Sequence, residues 1–384
     1  MDTAAHERQG QALHGLVSPR RVFAPLFAAT VLACLLAGIA GGLLRVGVVV
    51  PGTGATAWLP RAGLAHAALM ICAFMGTVIS IERAVAARHP AGWLAPLSSG
   101  AGGLLLLYGA AGPARWLLLA AALVFTAVNV LLLRRQRAPH TALLLASACA
   151  WAVGNALFAF GADAVAVLPW WFAFLVVTIA AERLEMTRLM RRRPGAQLAL
   201  YLVLAALAAG AAASAFAPLA GGLLFGAALV ALAAWLLAFD IARRTVRAEG
   251  LSRYMAVCLL TGYVWLAVGG LAWGATALGL PARDVALHAL GLGFVVSMIM
   301  GHAPVILPAV ARVKLQFGRL FYVPLAALHL SLALRLGFGL AAFHWRSTGA
   351  LLNALSLALF AATMAGAALA WRLRERHAAP TRQR

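Results

Sequence analysis

Twelve apolar runs, each about twenty residues long, constrain this chain more than any other feature in it. A helix rises ~1.5 Å per residue, so ~20 residues cover the ~30 Å hydrocarbon core of a bilayer. In the first half the runs fall at 22–44, 64–81, 93–112, 114–133, 141–162 and 164–181. In the second half they fall at 197–217, 218–240, 254–279, 284–304, 321–340 and 348–371, with short turns around Pro113 and Pro218. Only 11% of the chain is charged and 64% is hydrophobic, where a soluble domain keeps ~25% charged. The expected fold is all-α: a polytopic membrane protein of about 12 transmembrane helices. It divides into a tail at 1–21, a single 12-helix domain at 22–371 and a tail at 372–384. The first run follows Arg20 and Arg21 as a signal peptide would, but it exceeds the ~7–15 apolar residues of such a segment and reads as a span.

A net charge of +21 in a soluble protein would point to nucleic acid. Here the loops argue otherwise. When alternate loops are assigned to the two sides with the N-terminus inside, all but six of the 31 Lys and Arg residues fall inside. Among them are Arg83, Arg88, Arg134, Arg135, Arg183, Arg243, Arg253 and Lys314. Basic loop residues favour the cytoplasmic side, so both termini are expected in the cytoplasm and no nucleic acid partner is expected. Cys34, Cys72, Cys149 and Cys258 all fall within predicted helices and read as small apolar residues, not as a disulfide framework.

Ionisable residues inside a bilayer are costly, so each one is a functional candidate. His6, His14, His89, His140 and His377 fall in tails or inner loops and read as solvated, whereas His66, His288, His302 and His329 fall within spans and His344 in the last outer loop. His66 (in Arg61-Ala-Gly-Leu-Ala-His66) and His288 (in Arg283-Asp-Val-Ala-Leu-His288) each lie about four residues into a span, ~6 Å below the outer boundary. Two imidazoles at one depth can clamp a haem iron from opposite faces; the plain alternative is two interfacial histidines bonded to headgroups or backbone. His302, ~21 Å farther along the same helix face, and His329 leave a second inner metal site open. The segment Gly301-His302-Ala-Pro304 followed by Pro308 reads instead as a helix end with a kinked exit.

Thr77-Val-Ile-Ser-Ile-Glu82-Arg83 and Thr178-Ile-Ala-Ala-Glu182-Arg183 match loosely at the inner ends of helices two and six, hinting at a repeating four-helix unit. Each Glu is expected to pair with an Arg at the boundary, and a proton uptake point at Glu82 or Glu182 is the sharper alternative. Trp58, Trp93, Trp116, Trp170, Trp171, Trp345 and Trp371 read as an interfacial belt. Arg45, Arg61, Arg335 and Arg346 lie at the outer side and read either as partners for an anion such as haem propionates, with Arg61 or Arg346 in that role, or equally as plain surface charge. No phosphate loop, zinc-protease helix or nucleophile elbow occurs.

Helix ten, His288-Ala-Leu-Gly-Leu-Gly-Phe-Val-Val-Ser-Met-Ile-Met-Gly301, resembles the corresponding segment of NnrS-type proteins, which opens with His-Ala-Leu and runs through glycines to a Met-Ile/Leu-Gly step. Leu64-Ala-His66-Ala followed by Met70 is loosely similar to their second helix, without its usual acidic residue. The resemblance implies a twelve-helix protein of a bacterial inner (plasma) membrane that binds haem, with copper as a possible further cofactor, and that is linked to nitric oxide or metal stress. The layout also resembles subunit I of haem–copper oxidases, in which one histidine on helix two and one on helix ten hold a low-spin haem. His66 and His288 match those positions. The family's second helix-ten histidine falls at Leu290, and helices six and seven offer none for copper, so binuclear gas reduction is not expected.

The expected function is therefore an NnrS-like protein that binds b-type haem through His66 and His288. It would act in electron transfer, with a redox partner or quinone, or in nitric oxide or metal stress. The alternatives are a secondary transporter and a ligand-free structural or assembly subunit. A transporter should carry polar groups at mid-membrane, and the interior offers little beyond Asn129, Asn155, Thr261, His329 and Asn353.

Overall fold

A computed structural model describes residues 19–50, 57–187, 194–311 and 313–378. Among the described residues it contains twelve long helices, a four-residue helix at Ala242–Thr245, and no strand. The helices are α1 (Pro19–Arg45), α2 (Trp58–Leu64, Ala68–Gly76 and Thr77–Ala87 in succession), α3 (Leu94–Tyr108), α4 (Ala111–Arg135), α5 (Pro139–Ala159) and α6 (Ala164–Met186). The second half has α7 (Ala196–Ala213), α8 (Pro218–Phe239), α9 (Gly250–Ala277), α10 (Arg283–His288, Ala289–Val296 and Ser297–Ala311), α11 (Tyr322–Leu336) and α12 (Phe343–Ala378). Eleven spans are long and apolar enough to cross a bilayer, and the protein is an all-α, multi-pass membrane protein. The twelfth helix, α3, has 15 residues and so rises only ~22 Å; the 3₁₀ turn Pro90–Trp93 leads into it.

Burial sorts the helices into layers. In α6, 78% of the span is inside the protein, against 17% in α12 and 28% in α4. The sequence shows why. Leu168, Trp171, Phe172, Ala173, Phe174, Leu175 and Val176 of α6 are buried on every side of the helix, with no polar stripe to face water or headgroups. The central helices α2, α6 and α10 run in the same direction and surround the functional site. Close approach to their neighbours rests on small residues. A Cβ on Gly226 of α8 would lie 2.5 Å from the Gly270 carbonyl of α9, and one on Gly270 would lie 2.6 Å from the Gly226 carbonyl. Gly226→Leu is therefore expected to force α8 and α9 apart, at a cost of ~1–3 kcal/mol. A lowered melting temperature in detergent checks this; an unchanged one would mean the contact is slack.

Several boundaries differ from the sequence reading. The α3–α4 turn is made by Gly109, at φ 104°, and Ala110, so Pro113 sits in the first turn of α4 and not between the helices. Helix α10 does not end at Pro304. It continues to Ala311 with Pro304 and Pro308 inside it, because a bundle can tolerate the lost ladder bonds that stop helices in water. Helix α12 has 36 residues, ~54 Å of helix, so residues 372–378 extend it beyond the span, and His344 lies in its first turn instead of a loop. His140 is likewise buried in the first turn of α5, with Nε2 3.8 Å from Glu185. Trp171 is not part of a belt: it is buried and donates its Nε1–H to Asn155 at 2.9 Å. His6, His14 and most of the tail at 1–21 lie outside the described residues, as does the His377 side chain.

Candidate functional site

His66 and His288 come together. Their ring centroids are 6.3 Å apart and their planes 29° from parallel. Two imidazoles bound to one metal, each with a ~2.0 Å bond and its ring centre ~1.1 Å farther back, have centroids ~6.2 Å apart. The spacing leaves room for an ion between the two rings, and it is too wide for ring-on-ring contact at ~3.5–4 Å.

The same local device positions both rings. Each histidine sits at the joint between a short helical segment and a stretch wound more widely than an α-helix, with i→i+5 bonds: Ala68–Gly76 after His66 and Ala289–Val296 after His288. Such π segments shift the register of everything beyond them and recur at functional sites. Nδ1 of His66 lies 2.7 Å from the Gly38 carbonyl of α1. Nδ1 of His288 lies 3.0 Å from the Asp284 carbonyl and 3.0 Å from the Asp284 carboxylate. In each ring the oxygen acceptor favours Nδ1 as the protonated nitrogen, which puts the lone pair on Nε2, the tautomer that a metal ligand requires; in His288 that nitrogen lies 3.1 Å from Arg335 Nη2.

Arg335 of α11 completes the arrangement. Its guanidinium binds Asp284 through both Nε (3.1 Å) and Nη2 (2.8 Å). The same Nη2 lies 3.3 Å from Nδ1 and 3.1 Å from Nε2 of His288. Near-equal approach to both nitrogens places it over the face of the ring, off the lone-pair axis of Nε2. Arg335 is buried, and with Asp284 it forms a two-bond pair of the fork geometry that suits carboxylates.

Both rings border an apolar cavity of about 150 Å³ that is also lined by Met70, Phe74, Phe172, Leu175, Gly291 and Leu357, among others. Cofactor-sized ligands take ~300–1,000 Å³, so a tetrapyrrole would enter only if the lining side chains moved apart. Gly291, three residues after His288, borders this space, and a Cβ built on it meets nothing within 4 Å. Gly42 guards the other ring: its Cβ would come within 2.8 Å of His66 Cε1. Gly291→Leu is thus expected to fold normally while filling the cavity. If the space is used, retention of a bound ligand falls at least ~10-fold with little change in melting temperature; full retention would mean it is not.

Arg61 and Arg346, expected at this site, bind elsewhere. Arg61 donates to the Leu107 and Tyr108 carbonyls that end α3, and Arg346 donates to the Gly339 carbonyl at 3.1 Å. His302 and His329 have separate partners: Nδ1 of His302 lies 2.7 Å from the Met298 carbonyl, and Nδ1 of His329 accepts from Trp265 Nε1 at 2.9 Å. Among the described residues, no group of three or more His, Cys, Asp and Glu side chains is placed to hold a metal ion.

At the opposite end of the central helices, Arg83 bridges Glu82 (2.8 Å) and Glu182 (3.5 Å). Arg183 turns away from Glu182 to Asp240, with bonds of 2.8 and 3.1 Å. Sequence reading missed Asp284 and Asp240. The first carried a signal, because Asp284 and His288 are four residues apart on one helix face. The second did not, since nothing local to a helix end names a partner 57 residues away.

A family model described as a domain of unknown function (DUF8744) matches residues 21–369. No curated protein and no solved structure matches the chain.

Proposed function

The chain belongs to the DUF8744 family, a domain of unknown function, and within it we propose that this protein binds one b-type haem between His66 and His288 and passes electrons in the membrane. The observation that carries the reading is the pair of rings 6.3 Å apart, each with Nδ1 within hydrogen-bond distance of a backbone carbonyl. The haem, when bound, supplies one-electron redox chemistry; the rest is done by the chain. His66 and His288 would hold its iron. The Gly38 carbonyl and Asp284 hold the rings in orientation. Arg335, already facing His288, is the counter-charge for a propionate in place of Arg61 and Arg346. Met70, Phe74, Phe172 and Leu175 exclude water.

With two histidines of the chain holding it, such a haem would supply electron transfer sooner than gas reduction. The resemblance of helix ten to NnrS-type proteins leaves a role in nitric oxide or metal stress within this reading, with displacement of one histidine as the chemical opening. We place the protein in a bacterial inner membrane with both termini cytoplasmic. This orientation rests on the basic residues at the end opposite the histidines, where Arg135 reaches the Ala87 carbonyl at 2.6 Å and ties two loops together. The test is the haem content of protein purified from haem-replete cells. One b-type haem per chain is expected, and haem-free protein would end the proposal in favour of transport assays.

A further inference from the structure

A second cavity lies beside the first. It measures about 180 Å³ and sits at the same end of the bundle, among the starts of α6, α8 and α10 and the end of α9. Leu168 and Leu287 line both spaces, so the wall between them is one leucine side chain thick, and the residue after Leu287 is His288 itself. The aromatic lining is continuous as well. Phe172 borders the histidine cavity, Trp273 borders the second one, and their rings meet edge to face with centroids 5.8 Å apart.

The polar groups of the second cavity define what it accepts. Ser214 and Thr276 line it, but their hydroxyl hydrogens go to the carbonyls of Gly210 and Ala272, each at 2.8 Å. Arg283 also lines it and, among the described residues, has no hydrogen bond or ion pair. The site thus offers one free cationic donor in walls that are otherwise mostly alkyl and indole, which favours a ligand with an acceptor oxygen on an apolar ring and repels cations. For scale, an apolar cavity of ~150 Å³ takes one benzene ring.

We propose that this cavity binds the ring of a quinone, a lipid-soluble compound whose carbonyl oxygen accepts from Arg283 while its ring packs on Trp273. Its purpose, electron exchange with the neighbouring site, rests on the haem reading; its occupancy does not. The test is calorimetric titration of the detergent-solubilised full chain with a short-chain 1,4-benzoquinone, with benzoate in parallel. Saturable one-to-one binding of the quinone is expected. It should weaken at least ~10-fold in Arg283→Ala, an exposed position, and in Ala164→Trp, which plugs the exposed mouth. It should persist in His66→Ala, so loss of haem and loss of quinone binding are read separately. No saturable binding by the wild type, wild-type affinity in both cavity variants, or benzoate binding as tightly as the quinone would each overturn the assignment.

Discussion

His66→Ala and His288→Ala are each expected to reduce bound haem at least ~10-fold while leaving the helical fold intact. Loss of a group that merely orients a ligand already costs ~10–100-fold in affinity, and loss of the ligand itself costs no less. The rings have few polar contacts to lose: His66 has one, to the Gly38 carbonyl, and His288 has three, to the Asp284 carbonyl, the Asp284 carboxylate and Arg335. The readout is the haem-to-protein ratio by pyridine haemochrome, beside far-ultraviolet circular dichroism. Asp284→Asn gives a graded control. It removes the charge that holds both His288 and Arg335 but keeps a backbone carbonyl on Nδ1, so an intermediate loss is expected. Full haem in either alanine variant would move the site elsewhere.

The largest expected effect on stability lies at the opposite end of the bundle. Arg183 and Asp240 are almost wholly enclosed, with 4% and 1% of their side chains exposed. Asp240 also accepts the Ala242 backbone N–H at 2.7 Å, which fixes the chain where α8 ends. Breaking a buried pair by removing one partner strands a charge and costs ~3–5 kcal/mol. Asp240→Ala removes the cap as well and should lie at the upper end. Arg183→Met combined with Asp240→Asn strands no charge, keeps an oxygen for the Ala242 cap, and should recover most of the loss. Melting temperatures of the single and double variants check this, and additive losses in the double variant would show that the two groups act independently.

How much of this was readable beforehand follows from what each feature depends on. The helices were legible because a bilayer demands ~20 apolar residues and no others. The pairing of His66 with His288 was legible because both stand four residues into spans that run the same way, which places them at one depth. Three things were hidden. The π segments after each histidine have no local signature, since nothing in Ala68–Gly76 or Ala289–Val296 distinguishes them from α-helix. The choice among outer arginines depends on which face of α11 turns inward. Arg335 faces His288, whereas Arg61 reaches carbonyls that only exist as free acceptors because α3 stops at Tyr108. The end of α10 was misplaced because the cost of an interior proline was taken from helices in water. Within a bundle Pro304 and Pro308 stay helical, and His302 bonds to its own helix instead of marking an exit.

Low-temperature electron paramagnetic resonance of the ferric, detergent-purified wild type tests the central claim most directly. Two imidazoles with planes 29° apart on one iron predict a rhombic low-spin signal, lost in both histidine variants. A high-spin signal, or a haem-free protein from haem-replete cells, would contradict the two-histidine site.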